Sequence, residues 1–244
     1  MKEWYKEDLA YIHDVGHSDY ALNSAPYIIA ILAQNNIRDG LVVDLGCGSG
    51  LSALELTKAH YQIFGVDISE SLIAIARTRV PSAEFRVESL FKIHIPSCNA
   101  VISIGECLNY LFDDDNNYQI LFQLFERIYN ALAPGGIFVF DIAEPGQVIQ
   151  GIRVKSFSEG EDWIVLVDKE EDQEKLVLSR RIVTLRKVGE YYRRDDELHY
   201  LRLYKAADIA EKLRQVGFTV GSMTSYGDYK LPKAHVAFVA RKSM

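Results

Sequence analysis

Apolar positions along the chain fall into short continuous runs separated by stretches with a helical period. "LVVDL" (41–45), "QIFGVDI" (62–68), "EFRVES" (84–89), "NAVISIGE" (99–106) and "IFVFDI" (137–142) read as five strands. Their compactness and β-branched content suit strands buried on both faces. Between them, "LSALELTKAH", "ESLIAIARTRV" and a segment from about Asn116 to Leu132 read as helices. In the last of these, Leu121, Phe125, Ile128 and Leu132 recur at spacings of three and four, which makes one core-facing stripe. "SAPYIIAILAQNNI" predicts an earlier helix, with Ser24 as its N-cap and Pro26 in its first turn. Ser69 is placed to cap the helix after the second strand.

Strands alternating with helices in this rhythm call for an α/β fold with a doubly wound parallel sheet. The rhythm breaks near Gly146. "DWIVLVD", "KLVLSRRIVTLRKV" and "YYRRDDELHYLRLY" are strand-like and have no helix between them. They predict a three-stranded antiparallel insertion over about 151–203. "AADIAEKLRQVG" then returns to a helix capped by Gly217, and "FTVGSM" and "AHVAFVAR" close the chain as strands.

Composition narrows the functional classes. The net charge of −7 over 244 residues disfavours nucleic acid and anionic membrane as default partners. No apolar run reaches the ~18 residues of a membrane helix, and the first ten residues lack the apolar core of a secretory signal. Three cysteines without CxxC spacing suit reduced thiols and a cytoplasmic protein. His13 and His17 can share a helix face, but no third ligand lies near them in sequence, so no metal site is expected.

The chemistry concentrates in "VVDLGCGSG". Gly46, Gly48 and Gly50 follow a strand at alternate positions, so a ligand is expected to approach the backbone there. A triphosphate loop needs a lysine this turn lacks, and the dinucleotide fingerprint needs glycine where the chain has Leu51. Asp44, just before the turn, favours a cation over an anion. Asp67, at the end of the second strand, is placed to hold ribose hydroxyls. A ribose, a cationic or neutral linker and no phosphate together describe S-adenosylmethionine (SAM).

On these residues, 41–142 resembles the core of a class I SAM-dependent methyltransferase of the small-molecule type. "GVDIS" is similar to that family's second-strand acid, and "LAPGG" before "IFVFDI" to its turn into the fifth strand. The resemblance implies a Rossmann-like seven-stranded sheet whose last strand is antiparallel, formed by 1–150 and 204–244 with an N-terminal helical lid. Residues 151–203 would then be a small antiparallel β insertion covering the acceptor site. It implies SAM as cofactor and S-adenosylhomocysteine (SAH) as product. Gly46, Cys47, Gly48 and Gly50 would face the methionine part, and Asp44 its amino group and sulfonium. Asp67 would hold the ribose and Ile68 one face of the adenine. Ser89 and the Leu90 N–H are candidates for the adenine edge, although Ser89 is equally an ordinary strand-end residue. Gly105 and Glu106 lie where the family places the methyl; Glu106 is either a base or a ligand of the cofactor's amino group. Asn109 and Tyr110 read as structural.

The acceptor side is expected between "YKEDLAYIHDVGH" and the insertion. Glu197 and His199 alternate onto one strand face and are candidates to orient or deprotonate the acceptor, against the commoner solvated face. Arg180, Arg181, Arg186, Arg193, Arg194 and Arg202 either read an anion on the substrate or pair with Asp195, Asp196 and Glu197. The exposed edge of the insertion could make a homodimer. The leading expectation is methyl transfer to a nitrogen or oxygen of a small-molecule acceptor. A SAM-binding module without transfer activity, and an RNA or protein methyltransferase, are the alternatives.

Overall fold

A computed structural model describes residues 3–113 and 116–244. Seven strands form the main sheet: β1 (Gly40–Leu45), β2 (Tyr61–Asp67), β3 (Glu84–Val87), β4 (Cys98–Ser103), β5 (Leu132–Ala143), β10 (Thr219–Met223) and β13 (His235–Arg241). Their order is β10-β13-β5-β4-β1-β2-β3. The strands from β3 to β5 pair in parallel, while β13 runs antiparallel to both β5 and β10. This is the seven-stranded Rossmann-like arrangement with a reversed final strand that the sequence predicts.

Two apolar layers explain the continuous hydrophobic runs. Val43, Phe138 and Phe140 point to the layer completed by α5 (Tyr118–Ala131) and α6 (Ala206–Val216). Val42, Ile137 and Val139 point to the opposite layer, under α2 (Asp19–Gln34), α3 (Leu51–Lys58) and α4 (Glu70–Arg79). Successive residues of one strand alternate faces, and both faces are covered, so no polar stripe is left to read. The Ser69 hydroxyl accepts the Leu72 N–H at 3.1 Å and starts α4 as expected.

Some boundaries move. Helix α2 begins at Asp19, so Ser24 and Pro26 lie inside it, and Ser24 Oγ donates to Ala21 O rather than capping. A proline here costs one i→i−4 bond, which the packed helix tolerates. Leu132 is buried but opens β5 rather than ending α5.

The insertion is a separate antiparallel sheet of four strands, not three: β6 (Arg153–Glu159), β7 (Trp163–Asp172), β8 (Val177–Val188) and β9 (Tyr191–Arg202). Strand β6 was missed because it is an edge exposed along almost its whole length, and its apolar residues Val154 and Phe157 do not alternate. Its neighbours hold the pattern: Val165, Val167 and Ile182 line the inner face. Helix α1 (Glu7–Gly16) packs under that face through Leu9 and Ile12, against Trp163 and Val165. Two further short strands, β11 (Ser225–Tyr226) and β12 (Tyr229–Lys230), form a small hairpin before β13. Among the described residues, no helix is long and apolar enough to cross a membrane.

Candidate active site

The turn after β1 and the inner face of the β6–β9 sheet enclose a cavity of about 560 Å³. Its floor is the C-terminal edge of the parallel strands, where ligands lie in doubly wound sheets. The three motif glycines all have positive φ but do different work. A Cβ on Gly46 would lie 2.5 Å from Cys107 Sγ, and one on Gly50 3.2 Å from the Ala76 backbone. These two glycines let the chain pack on itself. Gly48 alone of the three faces open space, as does Gly105 after β4. Those two bare backbones form the cradle. Cys47 is buried behind it and does not line the cavity.

Asp67 sits at the cavity wall with its carboxylate accepting the Gly48 N–H and the Ser69 N–H, both at 2.9 Å. Each oxygen keeps a lone pair for a ligand. Burial raises its pKa, and the backbone donors oppose the rise. Asp44 lies beneath the turn, 2 % exposed, with Oδ2 lacking any partner. Burial, and then the charge of Asp67, push Asp44 up to about 7. A buried carboxylate with an orphaned oxygen suits a cationic donor from a ligand. Ile68 and Leu90 line the cavity. Ser89 does too, but its hydroxyl donates to Asp113 at 2.5 Å and accepts the Phe91 N–H. Asp113 thus places an acid on Ser89, just past the end of β3. It comes from the loop after β4, where sequence spacing gave no sign of it.

Glu106 is in the left-handed region (φ 55°) and its carboxylate is fully engaged. Arg180 on β8 binds both oxygens, and His235 on β13 donates to Oε2 at 2.8 Å. Burial would raise its pKa, but Arg180 and His235 outweigh that and hold it at about 2. Such a carboxylate does not accept a proton at neutral pH, so Glu106 is not the base considered from sequence. The N–H groups of Gly105 and Glu106 are themselves held by Asp141, which also accepts the Tyr226 hydroxyl. Asp141 is fully buried and raised by burial to about 6. An acid inside the apolar run "IFVFDI" was the available signal.

Glu197 and His199 do share the inner face of β9, but neither lines the cavity. Glu197 accepts the Tyr5 N–H (2.9 Å), the Lys6 N–H (2.8 Å) and His199 Nε2 (2.8 Å). His199 is fully buried among Trp4, Tyr5, Tyr110 and Phe112. The pair ties the N-terminal segment to the sheet instead of meeting an acceptor. Most of the arginines take local partners: Arg181 and Arg194 bind Asp196, Arg186 binds Asp162, and Arg193 binds Asp8. Asn109 is structural, its side chain bridging Ala143 and Arg202. Tyr110, read the same way, instead lines the cavity and bonds Tyr5 OH at 3.0 Å. Arg180 completes the far wall together with groups that sequence reading passed over, Tyr20, Lys169 and His235, beside His13 of α1 and His17 just after it.

Residues 42–136 match the methyltransferase domain family. A protein of Geobacillus sp. (strain WCH70), whose name gives methyltransferase and no substrate, is 26 % identical over 92 % of this chain and 96 % of its own. The trans-aconitate 2-methyltransferase of Variovorax paradoxus (strain S110) is 33 % identical over 42 % of this chain and 38 % of its own. The 18S rRNA (guanine(1575)-N(7))-methyltransferase of Saccharomyces cerevisiae (strain ATCC 204508 / S288c) is 31 % identical over 49 % and 48 %. Among solved structures, a SAM-dependent methyltransferase from Clostridium acetobutylicum ATCC 824 superposes with a TM-score of 0.79 at 21 % identity, covering 96 % and 97 % of the two chains. The sugar N-methyltransferase KedS8 from Streptoalloteichus sp ATCC 53650 does so at 0.78 and 20 %, covering 100 % and 94 %. The open cradle at Gly48 and Gly105 and the unpartnered oxygen of Asp44 suit the cofactor that this family uses. Residues 42–136 thus carry a methyltransferase domain, set in a fold, with its reversed seventh strand and glycine turn, that is shared with SAM-dependent methyltransferases.

Proposed function

We propose that this enzyme methylates a small molecule held between the cofactor turn and the inner face of the β6–β9 sheet. Residues 1–150 and 204–244 form the SAM-binding part, with α1 as one wall, and 151–203 cover the acceptor. The observation that carries this reading is the roof. Val165, Val167 and Ile182 of the sheet and Tyr5 and Leu9 of the N-terminal segment line the same cavity as Gly48 and Asp67. A volume of about 560 Å³ falls within the range of roughly 300–1,000 Å³ seen for small-ligand pockets. A polynucleotide or a folded protein would have to insert a single base or side chain into it.

The cofactor supplies a methyl group on a sulfonium. The chain supplies position and dryness, and alignment alone can lower a barrier by about 7–11 kcal/mol. Asp67 holds the ribose and Asp44 faces the amino group. Gly48 and Gly105 admit the ligand against bare backbone. Ile68 and Leu90 flank the adenine. His13 is lowered to about 4, chiefly by burial, so it is neutral at physiological pH. Its Nδ1 has no partner, so it is free to donate to or accept from the acceptor, according to its tautomer. The three free cysteines suit a reducing cytoplasm.

Similarity to sugar and trans-aconitate methyltransferases supports a small acceptor; similarity to an rRNA methyltransferase supports the competing reading. Incubation of the protein with methyl-labelled SAM and a fractionated cell extract separates them. Label should enter the small-molecule fraction. Label confined to RNA or protein would overturn the proposal.

A further inference from the structure

Lys169 and Arg180 are direct cross-strand partners on the inner face of the insertion. Both line the cavity. Like charges placed opposite each other destabilise a sheet, so the pair needs a reason. Arg180 has one: Glu106 takes both of its terminal nitrogens. Lys169 has none. Among the described residues it forms no ion pair, although its side chain is partly buried. Its neighbours along the inner face of β7 are Val167 and Glu171, and the buried Glu171 carboxylate is taken by the Gly146 and Val148 N–H groups.

The charge balance at this end of the cavity is therefore incomplete. Glu106 contributes one negative charge and Arg180 one positive. His235 shares the same carboxylate, which favours its protonated form. Lys169 adds a further positive charge, which feels Glu106 but has no carboxylate of its own in contact. Of the other acids that line the cavity, Asp67 and Asp113 are already engaged, by backbone N–H groups and by Lys92, and Asp19 opens α2 near His17.

We propose that Lys169 is a specificity-determining residue which binds a carboxylate on the methyl acceptor, so that the substrate class is a small organic acid. The inference rests on reading the covered cavity as the acceptor site. A carboxylate suits the single ammonium of Lys169, because Arg180 and His235 are both already engaged by Glu106. Tyr5 and Tyr110, joined through their hydroxyls beside Arg180, give the same end of the cavity further polar contacts.

The test is calorimetry on the SAH-loaded protein with benzoate and hexanoate, each against its primary amide. The carboxylates should bind at least tenfold more tightly than the amides. Lys169→Met should erase that preference and Lys169→Arg should keep it. Without ligand, Lys169→Met should melt at or above the wild-type temperature, because it removes a like-charge pair. A lower melting temperature would mark Lys169 as structural and overturn the proposal, as would a preference that survives in Lys169→Met. If the amides bind as well as the acids, the anion site is wrong while the covered-cavity reading stands. If SAH binds but none of the four does, the covered-cavity reading falls and this inference with it.

Discussion

Arg180, in the first third of β8, is bound through both terminal nitrogens to Glu106 on the loop after β4, so the sheet above the cavity is bolted to the floor beneath it. Both side chains are nearly buried, at 12 % and 10 % exposure. Removing one member of such a pair leaves a buried charge and costs roughly 3–5 kcal/mol. Glu106→Gln should therefore destabilise the protein by about that amount in urea unfolding. The double variant Glu106→Gln/Arg180→Met should recover much of it. The pH dependence has a definite sign. The folded-state pKa of Glu106 is depressed from 4.5 to about 2, so its stabilisation is complete above 4.5 and is lost as pH falls through about 2. Glu106→Gln should be less sensitive across that window. Equal slopes for the two proteins would show that the pair contributes nothing.

Asp44 behaves in the opposite sense. Its folded-state pKa is raised from 3.8 to about 7, so the proton it retains makes stability fall as pH rises from 3.8 towards 7. A cationic group bound against it favours the ionised form. SAM affinity should then rise with pH and level off above about 7, with binding about tenfold weaker at pH 6 than at pH 8. Asp44→Asn should bind weakly and without that slope. A flat wild-type profile by calorimetry would remove Asp44 from the cofactor site.

Two glycine substitutions separate packing from binding. Gly46→Ala places a methyl 2.5 Å from Cys107 Sγ and should destabilise the fold. Gly48→Ala meets no atom within 4 Å, so its cost should be only the roughly 1–2 kcal/mol of a left-handed residue. Its methyl fills the cradle, and SAM affinity should fall at least tenfold. A Gly48→Ala variant with native SAM affinity would show that the ligand does not approach this backbone.

Glu197→Ala should act on stability before chemistry. The carboxylate accepts from Tyr5, Lys6 and His199, and hydrogen bonds to a charged group are worth roughly 1.5–3 kcal/mol each. A loss of at least ~2 kcal/mol and faster proteolytic clipping near Trp4 to Glu7 are expected. Unchanged stability together with a protected N-terminal segment would exclude the clamp.

Much of the fold was legible because the parallel strands are buried on both faces. "LVVDL" and "IFVFDI" cannot be half-exposed strands or polar loops, and the helices between them fix the direction of winding. The glycine turn was legible because three alternating glycines after a strand have few uses. Strand β6 was not, since its exposed side chains follow no period. The clamp at Glu197 was legible only in part: alternation put Glu197 and His199 on one face, but the segment that covers that face lies 192 residues away for Tyr5. Likewise nothing local to "SIGECLNYL" shows that Glu106 is claimed by Arg180 and His235, 74 and 129 residues further on. Candidate acids are visible in a sequence; whether another side chain has already neutralised them is decided by long-range packing.

The bond from Glu197 to the Tyr5 amide also sets a timetable for synthesis. Its two ends are separated by 192 residues, which a ribosome adding about 5–20 residues per second completes in roughly 10–40 s. During that interval Trp4 and Tyr5 have no Glu197 or His199 to settle against, while the glycine turn, β2 and α4 already have their partners. The cofactor half of the cavity can thus take shape on the ribosome well before its roof. The wall that joins the earliest residues to strand β9 closes late, with only the segment carrying Tyr229, Pro232 and His235 still to follow.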